Sequence, residues 1–126
     1  WDQWPAFDAV VRERVGAALT ETFGEHQSLT CRFTHVYPDG PAPYYTWFGM
    51  GSQGSEISQW QTIKDAANEA VVAAGGTSTH HHAVGRMHRP GAYDVQRPEL
   101  FAESLRAAKK RLDPNGILNP GVLIDP

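Results

Sequence analysis

The sequence has one cysteine, Cys31, among 126 residues. An intrachain disulfide framework is therefore excluded, and a reducing compartment is the expectation. No apolar run approaches the roughly 20 residues of a membrane-spanning helix. There is no cationic excess: 11 Lys and Arg stand against 14 Asp and Glu, for a net charge of -3 and a pI near 6.0. The electrostatic footprint of a nucleic-acid binder is thus missing, and no nucleic-acid partner is expected. P-loop and G-x-S-x-G patterns are absent, as are internal repeats and low-complexity tracts. No secretory signal pattern is read at the start. The chain opens Trp1-Asp2-Gln3-Trp4 rather than on Met, and is expected to be part of a longer polypeptide.

The patterns that are present predict three helices and a hairpin. Phe7, Val11, Val15, Ala18 and Leu19 recur at helical spacing between Pro5, a first-turn residue, and Gly24, a helix stop. Leu29 to Tyr37 alternates with period two, placing Leu29, Cys31, Phe33, His35 and Tyr37 on one face and Thr30, Arg32, Thr34 and Val36 on the other. Pro38-Asp39-Gly40-Pro41 reads as a turn into a second, aromatic strand from Tyr44 to Met50. From Ser55 or Glu56 to about Ala74, the residues Ile57, Trp60, Ile63, Ala67, Ala70, Val71 and Ala74 form an apolar stripe stopped by Gly75-Gly76. Thr77 to Thr79 suits a short strand, and Arg89 to Pro98 an irregular segment. Pro98 to Leu112 is the third helix, with Leu100, Phe101, Leu105, Ala108 and Leu112 inward and Lys109, Lys110 and Arg111 near its carboxyl end. Ile117 to Asp125 is expected to be extended. Two strands are too few for a stable sheet. The expected class is therefore α+β, an antiparallel hairpin packed with three amphipathic helices, its sheet completed by strands upstream or in another copy.

The chemistry concentrates in Gly75-Gly76-Thr77-Ser78-Thr79-His80-His81-His82-Ala83-Val84-Gly85. Imidazole exchanges protons near neutral pH, with an unperturbed pKa of about 6.5. Three in a glycine-flanked loop suit acid/base or substrate-orienting work. A metal site, with His35 or His88 adding ligands, is an alternative; adjacent histidines diverge, however, and neither the H-x-x-x-H spacing nor a Cys pair is present. A solvated polar loop is the bland reading. Ser78 beside His80 lacks an orienting acid and an oxyanion element, which argues against a hydrolase. Tyr44 and Tyr45 point to opposite faces of their strand, so one at most serves a given site. Asp113-Pro114-Asn115-Gly116-Ile117-Leu118-Asn119-Pro120-Gly121 reads as structural punctuation.

Taken together, the glycine pair, the His80-His81-His82-Ala83 loop, the third helix and Lys110-Arg111-Leu112-Asp113-Pro114-Asn115-Gly116-Ile117-Leu118-Asn119-Pro120-Gly121 resemble the C-terminal part of the FAD-linked oxidases of the vanillyl-alcohol oxidase superfamily. Dehydrogenase-like members carry Gly-Glu-His-Gly in the loop. The triple histidine, and the hairpin residues Thr34, Tyr37, Gly40 and Tyr44, are more similar to the alkyldihydroxyacetonephosphate synthase subgroup. Ala83 departs from the usual glycine after the histidines.

The resemblance implies an FAD-dependent enzyme in which an N-terminal domain, absent here, grips the cofactor. This chain would be the C-terminal part of an α+β cap that binds substrate. In the synthase subgroup the acyl group of acyl-dihydroxyacetone phosphate is exchanged for a fatty alcohol, a step in ether-lipid synthesis. By the same resemblance His80, His81 and His82 line the active site with Tyr44. His81 would be the proton acceptor and His80 and His82 its supports. His82 and Asn119 would lie at the cofactor, and phosphate contacts would lie upstream. An FAD-linked 2-hydroxy-acid dehydrogenase or oxidase is the second enzyme expectation, and a small metal-binding α+β module the expectation from another class. The fragment alone is expected to be inactive. The full enzyme is expected to bind FAD and a lipid-like or hydroxy-acid substrate and to form a homodimer, with Trp47, Phe48 and Trp60 uncovered in the fragment. A cytoplasmic location is expected, with peripheral membrane contact in a bacterium and a peroxisomal address in a eukaryote.

Overall fold

The structure is a computed structural model that describes residues 1–125. It divides into two units, Trp1–Gly76 and a second from Thr77 onward. The first unit holds helix α1 (Trp4–Phe23), strands β1 (Gln27–Val36) and β2 (Pro41–Gly49), and helix α2 (Glu56–Ala73). Among the described residues no helix is long and apolar enough to cross a membrane.

Val11, Val15 and Leu19 fall four apart on α1 and form one buried stripe against Ile63 and Ala70 of α2. Phe7, Phe23, Leu29, Tyr45, Trp47, Ala67 and Val71 close around it. Leu19 and Ile63 are fully buried, each stabilising the unit by about 2 kcal/mol relative to an exposed side chain. The N–H of Gly24, at φ 63°, donates to the Thr20 carbonyl over 2.8 Å and ends α1. At the end of α2, Gly75 at φ 81° donates to Val72 and Gly76 to Val71, the paired bonds of a Schellman cap. Trp47 is not uncovered as expected: its ring stacks on Phe23 at 6.3 Å, and Trp60 is half-buried, whereas Phe48 is open. Ile57, expected inward, is 82% exposed because it sits in the first turn of α2, beyond the reach of the core.

The hairpin pairs Gln27 with Gly49 through Val36 with Pro41. The second strand begins earlier than its aromatic run suggested, since Pro41 and Pro43 are accommodated in a two-stranded sheet. The face assignment holds only as far as Phe33. A bulge between Phe33 and His35 inserts Thr34 without a partner. His35 then opposes Ala42, which shares its face with Tyr44, and so leaves the Cys31 face on which strict alternation had placed it.

In the second unit, Arg89–Tyr93 is a tight turn with Gly91 at φ 67°. It runs into the one-turn helix α3 (Asp94–Gln96) and then α4 (Glu99–Leu112). The segment expected to be irregular thus carries a short helix, and no strand forms at Thr77–Thr79. On α4, Ala102 is buried, while Leu100, Phe101 and Leu112 are 76%, 51% and 80% exposed, contrary to their expected inward placement. Periodicity identifies residues that share a stripe; it does not supply the surface that covers them. The tail is turned rather than extended, with Asn119 at φ 45° and Leu123 at φ 66°.

Candidate functional site

His80, His81 and His82 follow one another through bends in the second unit, all exposed. Nδ1 of His80 lies 3.2 Å from Nδ1 of His81. Their ring centroids are 5.5 Å apart, and those of His81 and His82 are 4.3 Å apart, both edge-to-face. Two Nδ1 atoms at hydrogen-bond distance must differ in protonation, one donating and the other accepting. When both rings are neutral, the donor ring has no proton on Nε2. That atom is then a proton acceptor, and the imidazolium formed when it takes a proton is stabilised by its neighbour. The three histidines are therefore brought together in an arrangement suited to proton transfer.

Tyr44 belongs to the first unit, on the hairpin face turned away from the core. It opposes Arg32 in the register, and the Arg32 guanidinium lies 5.1 Å from its ring centroid. Tyr45 points the other way, and its hydroxyl donates to Asp8 of α1 over 2.8 Å. Burial, then the bond to Asp8, raises the Tyr45 pKa beyond its ordinary range. Burial, followed by the charge of Asp8, also pushes the Cys31 thiol up, the opposite of what an activated nucleophile needs. Of the two adjacent tyrosines, Tyr45 is thus committed to the fold.

The Asp-Pro-Asn-Gly segment is built by Asp113. This buried carboxylate accepts from the backbone N–H groups of Ile117 and Leu118, at 3.1 and 2.9 Å, and pairs with Lys109. The Lys109 bond, followed by the Leu118 N–H, holds the Asp113 pKa below the usual carboxylate value. The exposed Asn119 forms the next turn, its carbonyl accepting from the Val122 N–H at 3.1 Å.

Three arginines that the sequence reading passed over fasten the tail. Arg86 donates twice to the Pro120 carbonyl, at 3.0 and 2.7 Å. The buried Arg89 grips Asp125 with two bonds, at 2.8 and 2.9 Å, and also reaches Gly121 and Asp94. Arg97 joins Asp94 to the Leu123 carbonyl. The available signal was a cluster of arginines just before a helix whose following segment is rich in carbonyl-exposing turns.

Residues 6–123 match the family described as FAD linked oxidases, C-terminal domain. The chain is 33% identical to alkyldihydroxyacetonephosphate synthase of Caenorhabditis elegans, over 75% of this chain and 16% of that protein. It is 30% identical to the enzyme of the same name from Trypanosoma brucei brucei, over 80% of this chain and 16% of the relative. An uncharacterized FAD-linked oxidoreductase of Escherichia coli O157:H7 is 28% identical over 71% of this chain and 19% of its own length. The chain therefore spans about a sixth of the length of the synthases it matches. No solved structure matches it. The extent of the family match leaves a plain conclusion: this chain belongs to the FAD-linked oxidases, as their C-terminal domain.

Proposed function

We infer that the chain is the C-terminal part of the substrate-binding cap of an FAD-dependent enzyme, and that this enzyme acts as an alkyldihydroxyacetonephosphate synthase. In such an enzyme the acyl group on dihydroxyacetone phosphate is replaced by an alkyl group. The observation carrying this reading is the His80–His81 contact in an exposed loop, a ready proton-transfer pair. The two synthase relatives at 33% and 30% identity support the choice of reaction.

Membership of the family implies FAD. Within this chain the donor set fits a contact with the flavin ring: His82 and Asn119 are exposed and carry hydrogen-bonding groups suited to its ring nitrogens and carbonyls. The chain spans about a sixth of the synthases it matches, so the grip on the cofactor's phosphates is assigned to the rest of the polypeptide. When bound, FAD supplies the redox and group-exchange chemistry. His81, donating its Nδ1 proton to His80, uses Nε2 to take a proton from the substrate carbon. His80 stabilises the charge that develops on His81, and His82 orients the ring from its other side. Tyr44 presents its hydroxyl to the substrate.

A second reading, an FAD-linked 2-hydroxy-acid oxidase or dehydrogenase, draws on the Escherichia coli relative. The deciding experiment expresses the full-length polypeptide, records its flavin spectrum and assays it with both substrate classes. Acyl-for-alkyl exchange without 2-hydroxy-acid oxidation supports the first reading, and the reverse result replaces it with the second. A full-length protein without flavin would sink both.

A further inference from the structure

The three histidines stand on a segment with little regular structure: residues 77–84 form neither helix nor strand. Proton transfer is sensitive to placement, and an error of about 1 Å can cost about 100-fold in rate. A loop without a ladder of its own takes its position from contacts across the unit. One such contact starts at Arg86, four residues beyond His82 and just after Gly85, which turns the chain at φ 58°. The Arg86 guanidinium donates through Nε and Nη2 to a single oxygen, the Pro120 carbonyl, at 3.0 and 2.7 Å.

That acceptor is prepared by Asn119-Pro120-Gly121-Val122. The Val122 N–H donates to the Asn119 carbonyl over 3.1 Å. Proline fixes its own φ near -65°, and Gly121 has φ 76°, the combination of a type II turn. The turn uses the Asn119 carbonyl for its own bond and leaves the Pro120 carbonyl to Arg86. The Gly121 carbonyl accepts from the buried Arg89, which also grips Asp125. Leu123 then sits at φ 66°, uncommon for a bulky residue, in a turn closed by the Ile124 N–H on the Val122 carbonyl at 2.8 Å. Arg97 holds the Leu123 carbonyl in that position. Local preference does not produce this path; tertiary bonds impose it.

We propose that residues 119–125 are a strap that sets the position of the histidine loop, and that Arg86 is the positioning residue through which the strap acts. The proposal rests on the reading of His80, His81 and His82 as a proton-transfer loop. The arginines divide the work. Arg89 and Arg97 are ion-paired, with side chains 9% exposed, and anchor the strap. Arg86 is exposed, has no ion pair among the described residues, and ties the loop to the strap. One exposed bond to a carbonyl adds little to global stability, so its effect is local.

The test uses the full-length, flavin-loaded enzyme, with steady-state kinetics of acyl-for-alkyl exchange and amide exchange of the peptide covering residues 79–84. Arg86→Gln should lower kcat by about 10- to 100-fold with KM within about twofold, and speed exchange in that peptide. Arg86→Lys should recover most of the rate, because an ammonium still donates to the Pro120 carbonyl. Gly121→Ala, which strains the turn and leaves Arg86 in place, should reproduce the loss. In a His81→Ala background, Arg86→Gln should cause no further loss, since the strap acts through that residue. A kcat within twofold of normal in both Arg86→Gln and Gly121→Ala would overturn the proposal. So would unchanged exchange in the loop, exchange accelerated equally through the whole chain, or the same fold-loss from Arg86→Gln with and without His81. Normal turnover in His81→Ala removes the proton-transfer reading and this inference with it. A slow His81→Ala beside an unaffected Arg86→Gln removes this inference alone.

Discussion

Gly49 lies directly beneath the ring of Phe23. A Cβ built on Gly49 would come within 2.3 Å of Phe23 Cδ2, closer than any real contact. The last residue of β2 is therefore glycine because the last residue of α1 is a large aromatic, itself stacked on Trp47. Gly49→Ala should cost about 1–3 kcal/mol, since the rigid ring must leave its stack to make room. Chemical denaturation checks this, and pairing the change with Phe23→Leu should recover part of the loss. A cost within 0.5 kcal/mol of zero would show that Phe23 has another rotamer available.

For the proposed chemistry, His81→Ala in the full-length enzyme should lower turnover by roughly 100- to 10,000-fold, the usual contribution of a positioned acid or base. Flavin content should be unaffected. Asn should rescue little, because it cannot take the proton at neutral pH. Single-turnover rates on flavin-loaded wild type and variant decide the matter. Near-normal rates would move the role to His82.

Tyr45 should be the last of the four tyrosines to ionise. Its pKa is raised in the fold by burial and by the bond to Asp8, so its contribution is complete below the unfolded value of about 10 and is lost as pH rises further. An alkaline titration of tyrosinate absorbance should show one phenol ionising only as the chain unfolds. Tyr45→Phe should remove that phase and cost about 1–2 kcal/mol at neutral pH, leaving Asp8 short of a donor. Four phenols titrating together near pH 10 would contradict the placement.

The opposite sign holds for the tail. Asp113 is held below its ordinary value first by Lys109, and Asp125 by Arg89. Their contribution is present above the unfolded carboxylate value of about 3.9 and is lost as pH falls through the lower folded values. Acidification from pH 5 to pH 2 should therefore loosen the second unit, seen as accelerated amide exchange at Ile117 and Leu118. In Asp113→Asn those amides should already exchange faster at pH 7 and respond less to acid. Unchanged protection across this range would contradict the role given to Asp113.

The chain by itself should not retain FAD through gel filtration, because it spans only about a sixth of the synthases it matches. It should also self-associate, since Phe48, Leu100, Phe101 and Leu112 stand open to solvent. A yellow protein, or a clean monomer by sedimentation at high micromolar concentration, would contradict one or other expectation.

The helices were legible because Val11, Val15 and Leu19, or Ile63 and Ala70, write a helical period directly into the sequence. The histidine loop was legible for a simpler reason: three imidazoles in a row are rare enough to notice. What escaped was anything set by a single inserted residue or by a distant partner. No local pattern announces the bulge at Thr34, so His35 was assigned to the wrong face. The arginines that bind the tail act across more than 25 residues, and such pairings leave no period to read. Leu100 and Leu112 were placed inward because amphipathicity reports a demand for cover rather than its presence.

The bulge divides one strand into two stretches under different rules. From Leu29 to Phe33 alternate side chains face α1, where Phe33 meets Trp4 at 4.8 Å. From His35 onward that phase is reversed, and the hairpin tip is held instead from the amino terminus, where Trp1 Nε1 donates to the Tyr37 carbonyl over 2.9 Å. Deleting Thr34 would make the ladder continuous: His35 would follow Phe33 directly and still oppose Ala42 on the face of Tyr44, but would lose the Thr34 hydroxyl that meets its Nδ1.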